Sequence, residues 1–281
     1  MDPGGCEDSL SGLSREAVEG LGSPLASSVE LHDELGSTQG RARELAREGA
    51  PHGTLVVSRV QTGGRGRLGR RWGSPAGGLW MSLVLRPGIS SEVAARTTQA
   101  AAVGVAKALW ELGVEARIKW PNDLLVGGRK ICGILAESSV ESVPVAAKEA
   151  GPGEGRRVDF VVLGVGLNAN LDLQDLGVPD REVATLRSEL GRDVDLLELL
   201  GSLLSHLDHE LGRIEDFGAV LDDWRALSCT LGERVRVRKF GEVLEGMALD
   251  LGPEGELLLE TQSGIVELFE GEVEQLEQER T

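Results

Sequence analysis

Twelve residues, Gln61-Thr-Gly-Gly-Arg65-Gly66-Arg67-Leu-Gly-Arg70-Arg71-Trp72, interleave four arginines with four glycines. A guanidinium is a planar fork that bonds carboxylate and phosphate bidentately. Glycines set between such forks let the backbone approach a ligand closely. The stretch lies in a wider window, residues 49–91, with six arginines and no Asp or Glu, in a chain of formal charge −17. An acid-free basic window in so acidic a chain points to a place where an anion is held. Gly64-Arg-Gly66-Arg-Leu-Gly69 also matches the pattern GxGxxG. A dinucleotide fingerprint, however, needs a helix opening at its last glycine. Here Arg-Arg-Trp-Gly-Ser-Pro follows, which is no helix. The phosphate loop GxxxxGK[ST] is absent.

Three further stretches carry groups that could converge on this loop. Ser37-Thr38-Gln39 reads as a helix N-terminus, where backbone N–H groups and side-chain oxygens face outward. Lys119-Trp120-Pro121-Asn122-Asp123 sets a cation and polar groups at a strand end. Gly128-Arg129-Lys130-Ile131-Cys132-Gly133 starts an apolar strand with a lysine, a residue seldom buried without a role.

These groups need a scaffold, and hydrophobic patterning supplies one. Strands are predicted at residues 29–35, 54–60, 79–85, 114–120, 124–126, 129–137 and 159–167, from β-branched and apolar runs. Gly127-Gly128 reads as a two-residue hairpin turn. A helix over 41–48 follows Ser37-Thr38, and a long one is predicted over 91–112. Leucines at 196, 199, 200, 203, 207 and 211 mark one side of a helix over 193–214, with another over 217–227. Residues 138–157 read as a surface loop. After Cys229 five short strands, separated by glycine turns, indicate a small barrel.

A chain of 281 residues can bury a sizeable core. No apolar run approaches the roughly 20 residues that span a bilayer. The acidic start Met-Asp-Pro-Gly-Gly-Cys lacks the apolar centre of a signal peptide. Three cysteines, at 6, 132 and 229, form no CxxC pair. That usage suits a reducing compartment, so a cytoplasmic location is expected. The negative charge argues against general nucleic-acid binding. His206 and His209 are three apart on a predicted helix, but no third ligand accompanies them, and no metal site is expected from them.

In order along the chain, five motifs resemble the biotin protein ligase family: Gly36-Ser-Thr-Gln39, the 61–72 stretch, Lys119-Trp-Pro-Asn-Asp123, Gly128-Arg-Lys-Ile-Cys-Gly-Ile-Leu135 and Gly164-Val-Gly-Leu-Asn168. The resemblance implies an α+β fold: a mixed-sheet catalytic domain of the biotin/lipoate ligase type, then a small SH3-like β-barrel. Boundaries are expected at 1–28 for a weakly ordered lead-in, 29–228 for the catalytic domain and 229–281 for the SH3-like domain. It also implies an ATP-dependent ligase that forms biotinyl-5′-AMP and modifies a lysine of biotin carboxyl carrier protein, with Mg²⁺ accompanying ATP. By resemblance Arg65, Arg67 and Lys130 are catalytic. Ser37, Thr38, Gln39, Gln61, Gly66 and the same three cations bind biotin, while Lys119, Asn168 and Arg70 serve the nucleotide. Arg70 and Arg71 remain open between ligand contact and solvated surface. Trp120 is expected in the core. Only 28 residues precede the catalytic region, so no specific DNA binding and no membrane partner are expected. Two other readings stay open: a lipoate or octanoyl ligase on a related fold, and a non-enzymatic biotin sensor.

Overall fold

The computed structural model of the protein describes residues 13–88, 90–140, 158–176 and 182–276. Among them, seven strands form one sheet: β1 (Ser28–Leu35), β2 (Thr54–Gln61), β3 (Leu79–Leu85), β4 (Arg117–Lys119), β5 (Asp123–Val126), β6 (Arg129–Val140) and β7 (Val158–Leu167). Their order is β1-β2-β3-β7-β6-β5-β4. β1 and β2 are parallel and the other neighbours antiparallel. The parallel pair arises because helix α2 (Thr38–Arg47) carries the chain back between them. Gly127 and Gly128, with φ of 55° and 79°, make the predicted hairpin turn between β5 and β6.

Strand alternation divides the buried residues between two faces. On one face Val56, Val84, Phe160 and Val162 pack against Ala42 and Ala46 of α2. The opposite face carries Leu55, Val57, Leu83, Val161 and Leu163 into the main core. There the helices are α3 (Ser91–Ala95), α4 (Thr97–Glu111), α5 (Leu186–Leu190), α6 (Leu196–Gly212) and α7 (Phe217–Leu227). Asp195 caps α6, accepting from the Leu197 and Glu198 amides at 2.8 and 3.1 Å. Leu199, Leu200, Leu203 and Leu207 then point inward and are buried. Each such leucine contributes about 1.5–3 kcal/mol.

Three expectations change. The helix predicted over 91–112 is broken at Arg96, where the guanidinium is clamped by both Glu254 oxygens at 2.8 Å and stacked over the Phe217 ring. Residues 13–28 belong to the stretch expected as a weakly ordered lead-in. Here they are packed: α1 (Arg15–Glu19) and the turn after it bury Val18 and Leu25 in the main core. The loop expected over 138–157 begins inside β6, and residues 141–157 lie outside the described residues.

The C-terminal strands are β8 (Arg234–Lys239), β9 (Glu242–Leu251), β10 (Leu257–Thr261), β11 (Gly264–Leu268) and β12 (Glu272–Gln275). They pair antiparallel in the order β11-β10-β9-β8-β12. Among the described residues no ladder joins β11 to β12, so the SH3-like unit stands as a five-stranded sheet rather than a closed barrel. Trp120, fully buried as expected, ties it to the large sheet. Its backbone N–H donates to Thr230 Oγ1 at 2.9 Å and its indole N–H to the Gly255 carbonyl at 3.2 Å. Among the described residues no helix is long and apolar enough to cross a membrane.

Candidate active site

The sheet face that α2 covers at one end is open at the other. Along β7 the residues on that face are Phe160, Val162, Gly164 and Gly166, so apolar side chains give way to none. Gly166 pairs with Gly133 of β6, and together they make a flat floor. The Trp72 indole lies on it, with its atoms within 2.7–3.4 Å of where a Cβ of either glycine would stand. Gln39 fills the space over Gly164 in the same way, its Oε1 2.5 Å from the position of a Cβ there.

The Gly/Arg stretch leaves β2 and folds back on itself. The Gln61 amide donates to the Ser74 carbonyl at 3.0 Å, Trp72 to Gly64 at 3.0 Å, and Gly66 to Arg70 at 2.8 Å. Arg67, Leu68 and Gly69 form the tip, with Leu68 left-handed at φ 55°. The GxGxxG match therefore sits in a hairpin-like loop and opens no helix beyond a single turn. A non-glycine residue in the left-handed region costs on the order of 1–2 kcal/mol.

Beneath the loop lies a cavity of about 1020 Å³, counted with its open mouth. Ser37, Thr38, Gln39, Gln61, Arg65, Gly66, Arg67, Arg70, Lys119 and Lys130 all line it. One predicted residue does not. Asn168 is buried outside the lining, its amide donating to the Ala184 carbonyl at 3.0 Å and the Lys130 carbonyl at 3.4 Å.

Three of the lining cations are individually held. Arg67 Nη1 donates to Asn122 Oδ1 at 3.2 Å, and Asn122 is fixed by its Nδ2 bond to the Ile134 carbonyl at 2.8 Å. Burial pulls the Arg67 guanidinium below its ordinary value, while Asp123, Glu270 and Glu272 pull it back up. Lys130 Nζ stands 2.7 Å from Asp123 Oδ1 and 4.8 Å from the centre of the Trp72 ring. Arg70 is ion-paired with Glu272 of β12. Gly271, Glu272 and Val273 thus give the cavity one wall from the C-terminal sheet. Arg65 is exposed at the mouth.

Opposite the cations is a neutral wall. Gln61 Oε1 accepts from Thr38 N–H at 2.8 Å and Thr38 Oγ1 at 3.1 Å, and Gln61 Nε2 donates to Ser74 Oγ at 2.8 Å. Thr38 Oγ1 also meets Ser82 Oγ at 2.9 Å. Ser37 occupies the N-cap of α2 yet makes no cap bond, and its Oγ is a buried polar atom without a protein partner. Buried hydroxyls are rarely left so unless a ligand or water completes them.

Sequence reasoning did not single out Ser82, Asn122, Asp123 or Glu137. Asn122 and Asp123 lie inside the motif Lys119–Asp123, whose spacing assigns neither a role. Ser82 is the one polar residue in the strand Leu-Trp-Met-Ser-Leu-Val-Leu, a signal that could have found it.

Residues 35–148 match the Biotin/lipoate A/B protein ligase family, and residues 230–275 match the Biotin protein ligase C terminal domain. The chain is 36% identical over 248 residues to the bifunctional ligase/repressor BirA of Bacillus subtilis, covering 86% of this chain and 72% of that protein. It is 32% identical over 241 residues to the biotin–[acetyl-CoA-carboxylase] ligase of Paracoccus denitrificans, covering 81% of this chain and 92% of that one. The structure of biotin protein ligase from Aquifex aeolicus in complex with biotin and ATP superposes with a TM-score of 0.70 at 27% identity, over 90% of this chain and 100% of that one. With its mixed sheet, its basic loop over a glycine floor and its appended five-stranded sheet, the chain belongs to the biotin protein ligase family and is a biotin ligase.

Proposed function

We infer that the protein activates biotin with ATP to biotinyl-5′-AMP and then passes the biotinyl group to a lysine of a biotin carboxyl carrier protein. The observation that carries this reading is the convergence, in one cavity, of the neutral wall Ser37, Thr38 and Gln61 with the cations Arg65, Arg67 and Lys130. The wall suits a ureido ring, which offers one carbonyl and two N–H groups. The cations suit a carboxylate brought against a phosphate, two anions that repel unless positive charge is fixed between them.

In the first step a biotin carboxylate oxygen bonds to the α-phosphorus of ATP. The bond from that phosphorus to the bridging oxygen breaks, and pyrophosphate takes the electron pair. We assign to Arg67, braced by Asn122, and Lys130, braced by Asp123, the charge that accumulates on the phosphoryl oxygens. In the second step a neutral lysine amine attacks the acyl carbon of the mixed anhydride, AMP departs, and the amine loses a proton to leave an amide. Lys119 and Arg70, which line the cavity, are the residues assigned to the nucleotide, whereas Asn168 lies outside the lining and holds the Lys130 and Ala184 carbonyls.

Among the described residues no group of three or more His, Cys, Asp or Glu is placed to hold a metal ion. The lining carboxylates, Asp123 and Glu272, are ion-paired with Lys130 and Arg70, so a Mg²⁺ here would be carried by the nucleotide phosphates rather than by a protein cage. Such an ion would neutralise phosphate charge.

The test is biotin-dependent exchange of labelled pyrophosphate into ATP. We expect exchange with biotin and Mg²⁺, none with octanoate or lipoate in its place, and a gain of one biotinyl mass on an apo carrier domain. Absence of exchange with biotin overturns the reading.

A further inference from the structure

Behind the neutral wall runs a chain of hydrogen bonds with a fixed sense. Gln39 is buried over Gly164. Its Nε2 donates to Glu137 Oε2 at 2.8 Å and to the Val162 carbonyl at 3.1 Å. Glu137 and Val162 are cross-strand partners on β6 and β7, so both acceptors stand side by side. Neither can donate, since an ionised carboxylate and a carbonyl are acceptors only. Glu137 is in addition ion-paired with Arg43 of α2.

The consequence passes from residue to residue. With its NH₂ committed inward, Gln39 presents Oε1 to Ser82, whose hydroxyl donates to it at 3.2 Å. The Ser82 proton is thereby used, so towards Thr38 its oxygen is an acceptor. Gln61 Oε1, oriented by the Thr38 amide, is also an acceptor. Thr38 Oγ1 therefore directs its only proton at Ser82 or Gln61, within 2.9 and 3.1 Å, and its lone pairs remain for a donor from the cavity. The second proton of Gln61 Nε2 likewise remains beyond its bond to Ser74. Reversing Gln39 would turn Ser82 round and fill a Thr38 lone pair from behind.

We propose that Glu137 is a positioning residue for biotin: acting through Gln39 and Ser82, it sets the donor–acceptor sense of the wall that meets the ureido ring. The inference rests on the ligase reading above. It makes no claim that Glu137 touches a substrate.

The experiment is steady-state pyrophosphate exchange on the full chain with Glu137→Gln, Gln39→Ala, the double variant and Ser82→Ala. Glu137→Gln keeps the shape but can donate. We expect its KM for biotin to rise about 5–20-fold, the scale of one disturbed buried hydrogen bond. The KM for ATP and kcat should stay within about twofold, since the change is confined to a network on the biotin side. Added to Gln39→Ala, it should change the biotin KM by less than about twofold, because non-additivity marks action through one path. Ser82→Ala should show the same biotin-selective loss, and it tests the network should Glu137→Gln not fold. A wild type without biotin-dependent exchange overturns the ligase reading. An exchanging wild type whose Glu137→Gln and Ser82→Ala variants keep the biotin KM overturns this inference alone. So does a loss shared equally with ATP, or one that persists in full without Gln39.

Discussion

Trp72 Nε1 stands 2.7 Å from the place a Cβ on Gly166 would occupy, so the last residue of the basic loop and the floor of the cavity exclude each other's growth. Gly166→Ala must push the indole off the sheet. We expect a loss of about 1–3 kcal/mol in unfolding free energy, as for other overpacked sites. Exchange activity should fall as well, because Lys130 loses the ring it sits over. Gly212→Ala, at a helical glycine with nothing within 4 Å, is the control. It should be neutral or stabilising by up to about 1 kcal/mol. Denaturant melts of the two variants check the contrast.

Arg67 is a half-buried cation of the cavity lining, held by Asn122. Arg67→Ala should lower the exchange rate by about 10²–10³, the usual effect of removing one donor aimed at developing charge. Asn122→Ala leaves the guanidinium present without its 3.2 Å brace. Its rate should fall by roughly tenfold, the scale of one hydrogen bond to a charged group. Equal losses in the two variants would show that Asn122 does more than orient Arg67.

Stability should carry an acid signature away from the active site. Glu210, fully buried, is bonded to Lys107 and Arg213 at 2.7 Å each, and Asp223 completes the ring to the same cations at 2.8 and 2.9 Å. Burial pushes the Asp223 carboxyl up, but the bonds from Lys107 and Arg213 outweigh it and hold the group below the usual carboxylate range. A carboxyl depressed in the folded state contributes stability that is complete above its unfolded value of about 4. That contribution disappears as pH falls through the folded value. Asp223→Asn should therefore lower Tm at neutral pH and flatten the fall in Tm below about pH 4. Thermal melts across pH read both effects.

The basic loop is anchored at its ends, by Thr62 and Gly63 on Leu35 and Gly36 and by Trp72 on the glycine floor, but between them only its own short ladder, the Arg67–Asn122 bond and the exposed Arg70–Glu272 pair hold it. Few buried apolar contacts mean a low local opening energy. Protease cleavage within 62–75 should be rapid in the free protein and slowed at least several-fold by biotin with ATP, when anions join its arginines. Mass mapping of early fragments gives the site. Equal cleavage rates would contradict an ordering role.

What the sequence revealed followed from local rules. Alternating and continuous apolar runs located the strands, and Gly127-Gly128 located the hairpin. Charge contrast located the basic loop, and ten of the residues tied to the resemblance reached one cavity. What it hid depends on pairing. That Gly133 faces Gly166, and that Gly164 makes room for Gln39, follows only once β6 and β7 are in register. Asn168 looked like a ligand residue because it ends a motif, yet its amide serves backbone carbonyls. The break at Arg96 escaped helical periodicity, and the Glu254 that clamps its guanidinium is far away in sequence.

Arg70 and Glu272 also join distant parts of the chain. Roughly 200 residues separate them, and the wall that Glu272 supplies lies on the last strand of the second sheet. Contacts so distant along the chain form late, since closing long loops must precede any gain from them. The floor and the neutral wall, drawn from residues 37–166, can be in place before that wall arrives. The cavity is therefore complete only when both sheets are docked, and a change that loosens the second sheet from the first should open it on the Glu272 side.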